Sequence, residues 1–184
     1  MKRLTVFLVI CAFVTLTFSA CSKPEQSLKA IKPGEEIQIT SSSLNSDGKW
    51  KSVITASLGE NKSPQLSWTP VENASCYAIY MIDISASNWC HWIAKDVKVT
   101  ELKLGAELEN SQYIGPYPPG GVHTYEVMIF ALKDSPDSYE GDFDNPNSSM
   151  DKIIEALDTS KGSTGNILAT GVLSGTYQAG EIVE

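Results

Sequence analysis

The sequence predicts a single, mainly β domain with few helices. Two segments, 77–82 and 123–132, are rich in β-branched and aromatic residues and contain neither Gly nor Pro, as expected of strands. One segment of the predicted domain, 150–157, carries apolar side chains at helical spacing, while 13 Gly and 9 Pro indicate many turns between short strands. A chain of 184 residues is long enough for one domain with a full core.

The first third of the domain is predicted to consist of short strands joined by turns. Alternating apolar residues at 37–40 indicate an edge strand, where the domain begins. The Asn-Ser-Asp-Gly run at 45–48 is a turn signal, and residues 50–58 are predicted to form a second strand. A further strand at 65–68 leads into a turn at 69–74.

Residues 77–82 are predicted to form the central strand, because large side chains at every position indicate that both of its faces are covered. The segment 89–94 follows after a short loop, so we expect it to pair with or lie beside this strand. Residues 97–108 form a polar, irregular crossing in which Leu102 and Leu104 are expected to point inward.

The last third contains the remaining elements. The strand at 123–132 follows a Pro- and Gly-rich turn, the helix at 150–157 has N-cap candidates at 147–149, and a final strand at 167–177 closes the domain. A calcium loop is one interpretation of the acidic stretch at 134–147. It lacks the spacing of an EF-hand loop, which favours a solvated loop.

The first residues predict export and a lipid anchor. The basic start Met1-Lys2-Arg3 precedes an apolar stretch at 4–18, which is short for a transmembrane helix and typical of a secretory signal. Small residues precede Cys21, and this arrangement resembles the lipobox of bacterial lipoproteins, although Phe18 replaces the usual aliphatic residue. In such proteins the cysteine is acylated, which gives stable membrane attachment.

The predicted organisation is a signal peptide at 1–20, a lipid-anchored Cys21 with a tether at 21–36, and a single domain at 37–184. The expected location is the cell envelope, with the domain facing outside the cytoplasm. A plain signal peptide with a different cleavage site is the alternative.

Two cysteines, Cys76 and Cys90, remain in the domain. An oxidising compartment favours a disulfide between them. If 76–83 is extended, however, Cys76 lies about 23 Å from Asp83, whereas Cys90 lies near the Asp83 end. Bridged cysteines need Cα atoms within about 7 Å, so we predict two unpaired, buried thiols.

The formal charge of −8 argues against a nucleic-acid partner, because no cluster of Lys and Arg is present to bind a phosphate backbone. The acidity is expected to serve solubility.

Both histidines of the chain lie near predicted strand ends. A buried Asp83 needs a partner, and a histidine from a neighbouring strand is the obvious one. Asp83, His91 and His123 are therefore predicted to share one cavity that binds an oxyanion or phosphate, together with backbone amides of the turn at 115–121. The alternative is that each histidine is a core residue with its own hydrogen bonds.

Several motifs in order along the chain resemble the phosphatidylethanolamine-binding protein (PEBP) family, with the bacterial Raf kinase inhibitor-like branch as the nearest. The resemblance spans roughly residues 38–178. Besides the strand that ends in Asp83, the matching motifs are Ser63-Pro-Gln-Leu-Ser-Trp68, Trp89-Cys-His-Trp92, Gly115-Pro-Tyr-Pro-Pro-Gly-Gly-Val-His-Thr-Tyr125 and Val172-Leu-Ser-Gly-Thr-Tyr177.

The resemblance implies a central antiparallel sheet, a smaller flanking sheet, one or two short helices and a shallow anion pocket that holds phosphate or phosphorylated head groups. Carried over by position, the ligand-binding residues would be Asp83, Trp89, His91, Gly115, Pro118, Pro119, His123 and Tyr125.

The sequence departs from the family pattern on one side of this pocket. Residues 84–87 lack the second Asp and both prolines of the family's Asp-Pro-Asp-x-Pro motif, and Thr124 replaces the usual Arg. A remodelled rim with altered head-group selectivity is therefore expected.

These observations predict a binding protein without catalytic activity, cofactor or metal, whose affinity for a small anion rises toward mildly acidic pH. One alternative is a protein-interaction or inhibitor module, including homodimerisation through the surface around the pocket. A second is a hydrolase in which Asp83 orients a histidine base; it lacks an obvious nucleophile, since no Gly-x-Ser-x-Gly motif is present and Cys90 should face away from His91. A zinc site of two His and one Asp is a third.

Overall fold

Two antiparallel sheets form the core of the computed structural model, which describes residues 30–184. One helix packs on the outer face of the larger sheet, and a single 3-10 turn spans Ser52–Ile54. The elements are β1 (Ile39–Thr40), β2 (Leu66–Trp68), β3 (Cys76–Asp83), β4 (Trp89–Val97), β5 (Glu101–Leu102), β6 (Ser111–Tyr113), β7 (Val122–Leu132), α1 (Met150–Asp158) and β8 (Ile167–Gln178). The larger sheet has the order β6-β4-β3-β7-β8, and the smaller has the order β1-β2-β5.

Strand β3 lies at the centre of the larger sheet, and all eight of its residues are buried. Its odd-numbered apolar residues Tyr77, Ile79 and Met81 face the smaller sheet, where they join a core cluster that includes Trp68. Its even-numbered residues face the other side and pack with Ile153 of α1. Because side chains alternate along a strand, cover on both faces requires the continuous apolar run that the sequence shows. The mainly β architecture, with a central sheet, a smaller sheet and one helix, is the predicted fold class.

The predicted helix is confirmed. The Ser149 hydroxyl accepts a hydrogen bond from the backbone N–H of Asp151 at 3.1 Å, which caps the first turn. Ile153 and Leu157 are buried against β3 and β7, while the opposite face of α1 is exposed.

The strand predicted at 50–58 is wrong. The backbone turns at Ser52–Ile54 because both the amide and the hydroxyl of Thr55 donate to the carbonyl of Ser52 at 2.9 Å. The amide of Ser52 instead donates to the carbonyl of Val183, so the carboxyl-terminal segment takes the place of a neighbouring strand.

The prediction of a polar, irregular crossing at 97–108 is correct only in part. Leu102 is buried as expected and lies in the short strand β5, whereas Leu104 is 40% exposed and the expectation that it points inward is wrong. Strands β5 and β6 have two and three residues, too few for a periodic pattern to identify them.

Cys76 and Cys90 are both buried and unpaired, as predicted. The domain makes its first hydrogen bonds before the predicted boundary at residue 37: the amide of Ile31 donates to the carbonyl of Pro70, and that of Gly34 donates to the carbonyl of Leu168. The signal peptide and Cys21 lie outside the described residues. No helix within 30–184 is long and apolar enough to span a membrane.

Candidate functional site

A cavity of about 330 Å³ opens at one end of the larger sheet. Strand pairing brings its walls together, because Asp83 lies opposite Trp89 on β4 and opposite Tyr125 on β7. Seven of the eight predicted site residues line it, namely Asp83, Trp89, His91, Pro118, Pro119, His123 and Tyr125, and Ala86 and Tyr117 complete the lining.

Asp83 and His123 form a hydrogen-bonded pair in this cavity. Nδ1 of His123 lies 2.7 Å from Oδ2 of Asp83, and because a carboxylate only accepts, this nitrogen carries a proton. Oδ1 of Asp83 accepts from the amide of Ser85 at 2.9 Å. These bonds offset the cost of burying the carboxylate, whose side chain is 3% exposed. The second ring nitrogen of His123, Nε2, remains available for a ligand.

His91 is the more deeply buried histidine, and its ring orientation is fixed by the backbone. Nδ1 lies 2.9 Å from the carbonyl oxygen of Ile114 and donates to it, so Nε2 is again the free nitrogen. Burial lowers the pKa of His91, with the Ile114 hydrogen bond and the charge of Asp83 opposing the shift. The ring contacts Tyr117 and Tyr125 edge to face, with centroid distances of 5.4 and 5.2 Å.

Tyr125 contributes a buried hydroxyl with no hydrogen-bond partner among the described residues. Burial, and after it the charge of Asp83, raise the pKa of Tyr125, so this hydroxyl remains a donor. An unpaired buried polar group costs about 1–3 kcal/mol.

Gly115 does not line the cavity. Its amide donates to Oδ1 of Asn61 at 2.7 Å, and a Cβ at this position would lie 1.9 Å from the carbonyl oxygen of Ile54. Glycine is therefore required for the close approach of two backbones. The contact holds the start of the Pro118-Pro119 wall in place.

One residue that sequence reasoning missed connects two walls of the cavity. Oδ1 of Asp144 accepts hydrogen bonds from Nε1 of Trp89 at 3.1 Å and from the hydroxyl of Tyr117 at 2.5 Å. The stretch at 134–147 was predicted as a solvated loop, and no local pattern distinguishes Asp144 from the other acidic residues there. Its partners are 55 and 27 residues away, so only the tertiary fold identifies it.

The loop after Asp83 is short, as the sequence predicted. Its turn places Ser87 and Asn88 at φ +52° and +54°, and the amide of Trp89 donates to the carbonyl of Ala86 at 3.1 Å. The hydroxyl of Ser85 accepts from the amide of Thr124 at 3.0 Å. This hydrogen bond joins the loop to β7 at the position where the expected Arg is missing.

The cavity wall is largely aromatic and aliphatic, and none of its lining residues is Lys or Arg. Within the described part of the chain, no group of three or more His, Cys, Asp and Glu side chains is arranged to hold a metal ion. The residues that line the cavity include two imidazoles, two phenols and one carboxylate, although their polar atoms form little of its exposed surface. This set suits a small polar or anionic group whose binding is linked to protonation of an imidazole.

Comparisons with known proteins agree with the fold. The family model of the phosphatidylethanolamine-binding protein matches residues 27–178. A UPF0098 protein from Methanothermobacter thermautotrophicus is 27% identical over 157 residues, which cover 74% of this chain and 95% of that protein.

Two solved structures are similar as well. A protein from Chlamydia trachomatis, described as a PEBP homologue, superposes with a TM-score of 0.62 at 25% identity over 78% of this chain and 97% of its own. E. coli YbcL, described as a new member of the mammalian PEBP family, gives a TM-score of 0.59 at 21% identity over 78% of this chain and 99% of its own. The family match covers most of the chain, and the chain therefore belongs to the phosphatidylethanolamine-binding protein family.

Proposed function

We propose that this PEBP-family binding protein captures a small anion or a phosphorylated head group in the Asp83/His91/His123 cavity, without catalysing a reaction. The observation that carries this proposal is the 2.7 Å contact between His123 and Asp83 in the cavity that also contains His91. The names of the relatives, which refer to phosphatidylethanolamine, point to the same class of ligand.

In the proposed complex, His123 carries the charge that attracts the anion. Its Nδ1 proton is already directed at Asp83, so a second proton on Nε2 produces an imidazolium that donates to Asp83 on one side and to the ligand on the other. A hydrogen bond between an ionised donor and an ionised acceptor is stronger than one between neutral groups. Binding an anion therefore takes up a proton.

The other two polar groups complete the ligand shell. The Tyr125 hydroxyl, which has no hydrogen-bond partner in the described part of the chain, donates to a second ligand oxygen. His91 stays neutral because burial lowers its pKa, so its Nε2 is an acceptor for a hydroxyl or ammonium donor elsewhere in a larger ligand, such as a head group.

Two observations support a binding protein over a hydrolase. The lining residues include no Ser, Thr or Cys that would serve as a nucleophile for the Asp83–His123 pair. Cys90 is next to His91 in sequence, but its side chain lies in the cluster on the opposite face of the sheet, where burial raises its pKa to about 12. A thiol that remains protonated is a poor nucleophile.

The second part of the proposal concerns location: an acyl anchor on Cys21 holds the domain at the cell envelope, outside the cytoplasm. Its support is the basic start, the apolar stretch at 4–18 and the small residues before Cys21. Mass spectrometry of the membrane-extracted protein tests it. A diacylated or triacylated residue 21 is expected, and a soluble Cys21→Ala variant is the control.

Calorimetric titration of the domain with phosphate, phosphoethanolamine and acetate, at values from about pH 5.5 to 8, tests the ligand. We expect saturable binding to a single site that strengthens toward the acidic end and is lost in His123→Ala. Val172→Ala, an exposed site on β8 away from the cavity, serves as the control. Affinity that does not change with pH, or that His123→Ala leaves intact, would contradict the proposal.

A further inference from the structure

Asp144 holds two opposite walls of the cavity without lining it. The Trp89 and Tyr117 rings meet edge to face, with a centroid distance of 6.5 Å and an interplanar angle of 89°. Both donate to the same carboxylate oxygen of Asp144. One side chain thus fixes the relative orientation of two aromatic residues that a ligand would contact.

The position of Asp144 is itself fixed by the backbone. Its amide donates to the carbonyl of Cys90 at 2.9 Å, and the amide of Cys90 donates to the carbonyl of Asn145 at 3.0 Å, so the segment runs alongside β4. Asn147, which is buried, accepts from the amide of Asp142 and donates to the carbonyl of Asn145. These contacts attach the acidic stretch at 134–147 to β4, the strand that carries His91.

The charge of Asp144 matters as much as its hydrogen bonds. Asp83 lines the cavity, Asp144 lies behind the lining residues Trp89 and Tyr117, and no lining residue is Lys or Arg. His91 is held in a buried site that disfavours its cationic form. Protonated His123 then offsets only one of the two negative charges, so the site keeps a net negative charge.

We infer that Asp144 is a positioning and specificity-determining residue of this pocket, which makes the site select singly charged anions over doubly charged ones. The inference rests on the proposed function, because it concerns the anion bound there. A phosphodiester monoanion fits such a site better than a phosphomonoester dianion. The aromatic and proline walls also provide apolar surface for the ester groups.

The test compares two ligands that differ by one methyl group and one charge. At about pH 7, dimethyl phosphate is a monoanion, whereas methyl phosphate is mainly a dianion because its second pKa lies near 6. The dissociation constants of both are measured by calorimetry on the wild-type domain, Asp144→Asn, Asp144→Ala and the control Asp142→Asn. Asp142 is an exposed residue of the same loop, so its variant makes the same change in net charge.

The wild-type protein is expected to bind dimethyl phosphate more tightly. Asp144→Asn keeps an acceptor oxygen for Trp89 and Tyr117 but removes the charge. The ratio of the dissociation constants of methyl phosphate and dimethyl phosphate should therefore fall by about fivefold, which is the effect of one nearby charge at an intermediate dielectric constant. Asp144→Ala should weaken both ligands, because the two aromatic walls lose their shared acceptor. Asp142→Asn should leave the preference unchanged.

A second measurement reports the positioning role without any ligand. The indole N–H resonance of Trp89, assigned with Trp89→Phe, should shift in Asp144→Ala and remain near its wild-type position in Asp144→Asn. If Asp144→Ala is the only variant that loses the native spectrum, the comparison of Asp144→Asn with Asp142→Asn decides the test.

Three results would overturn the inference. These are an unchanged preference in Asp144→Asn, an equal change in Asp142→Asn, and tighter binding of methyl phosphate by the wild-type protein. If neither phosphate binds to the wild-type protein at any pH tested, the proposed function itself fails and this inference fails with it.

Discussion

His123 and Asp83 are separated by 40 residues in the sequence, and their side chains lie 2.7 Å apart. The contact is possible because β3 and β7 are antiparallel neighbours with Asp83 opposite Tyr125, which places His123 just beyond the end of β3. A buried carboxylate with an imidazole partner is the feature from which the first prediction follows.

Replacing Asp83 by Ala should destabilise the domain and weaken anion binding together. The substitution removes the acceptor of the His123 Nδ1 proton and of the Ser85 amide. We expect a loss of about 1–3 kcal/mol in the free energy of unfolding, measured by urea denaturation. Anion affinity should also fall, because the His123 ring loses the hydrogen bond that orients it. A variant that retains wild-type stability and anion affinity would show that the pair has no energetic role.

Burial of His91 predicts how stability depends on pH. Because burial lowers the pKa of His91, the unfolded chain binds a proton at this residue more readily than the folded domain does. The contribution of His91 to the free energy of unfolding is therefore fully present above the pKa of the unfolded chain, about 6.5, and is lost as the pH falls below that value. His91→Asn keeps an N–H donor for the Ile114 carbonyl but does not titrate.

The measurement for His91 is urea denaturation of wild type and His91→Asn at several values between about pH 7.5 and 5. The free energy of unfolding of the wild type should fall more steeply toward acidic pH than that of the variant. Other titrating groups are common to both proteins and cancel in the difference. Parallel curves would contradict the prediction.

The close backbone contact at Gly115 predicts that adding one methyl group there destabilises the domain, whereas the same change elsewhere in the turn does not. In Gly115→Ala the new Cβ would meet the backbone of Ile54 and Ala56, which cannot move aside as a flexible side chain does. Destabilisation of about 1–3 kcal/mol is expected from such overpacking. Gly120→Ala is the matched control, because no atom lies within 4 Å of the Cβ position and the residue is in the same turn. Similar thermal denaturation midpoints for the two variants would disprove this reading of Gly115.

Tyr125→Phe should separate ligand binding from stability. The hydroxyl has no hydrogen-bond partner within residues 30–184, so its removal should leave the stability unchanged or slightly raised. Anion affinity should fall by roughly 3- to 10-fold, as expected for the loss of one hydrogen bond of about 1 kcal/mol.

Tyr177→Phe gives the opposite pattern and serves as the control for Tyr125→Phe. Its hydroxyl donates to the carbonyl of Glu181 at 2.8 Å, so its removal should reduce stability and leave anion affinity unchanged. Calorimetric titration and urea denaturation of both variants provide the comparison. Equal anion affinity in Tyr125→Phe and wild type would remove Tyr125 from the site.

The sequence predicts best the parts of the molecule that are determined by local periodicity. The continuous apolar run of β3 identified the central strand, because only a strand with both faces covered needs it. The N-cap and the spacing of Ile153 and Leu157 identified α1 for a similar reason. In contrast, residues 50–58 have the composition of a strand but turn, because their hydrogen-bond partners include Val183 at the far end of the chain.

In the candidate site, too, some residues were predictable from the sequence and others are identified only by tertiary contacts. Asp83, His91 and His123 could be placed together from strand ends and family resemblance, and they line one cavity. Gly115 carries the family pattern, but its requirement for glycine comes from the backbone of Ile54 and not from a ligand. Asp144 lies in a loop of similar acidic residues, and only the tertiary contacts with Trp89 and Tyr117 distinguish it.

The amide of Gly34 meets β8 at Leu168, whereas His123 is paired with Tyr177 nine residues further along the same strand. At about 3.3 Å per residue, these two points are about 30 Å apart. Any label, bead or sensor surface attached through the amino-terminal side of Ala30 therefore joins the molecule at the end remote from the cavity. An immobilised preparation made in this way keeps its cavity facing the solution.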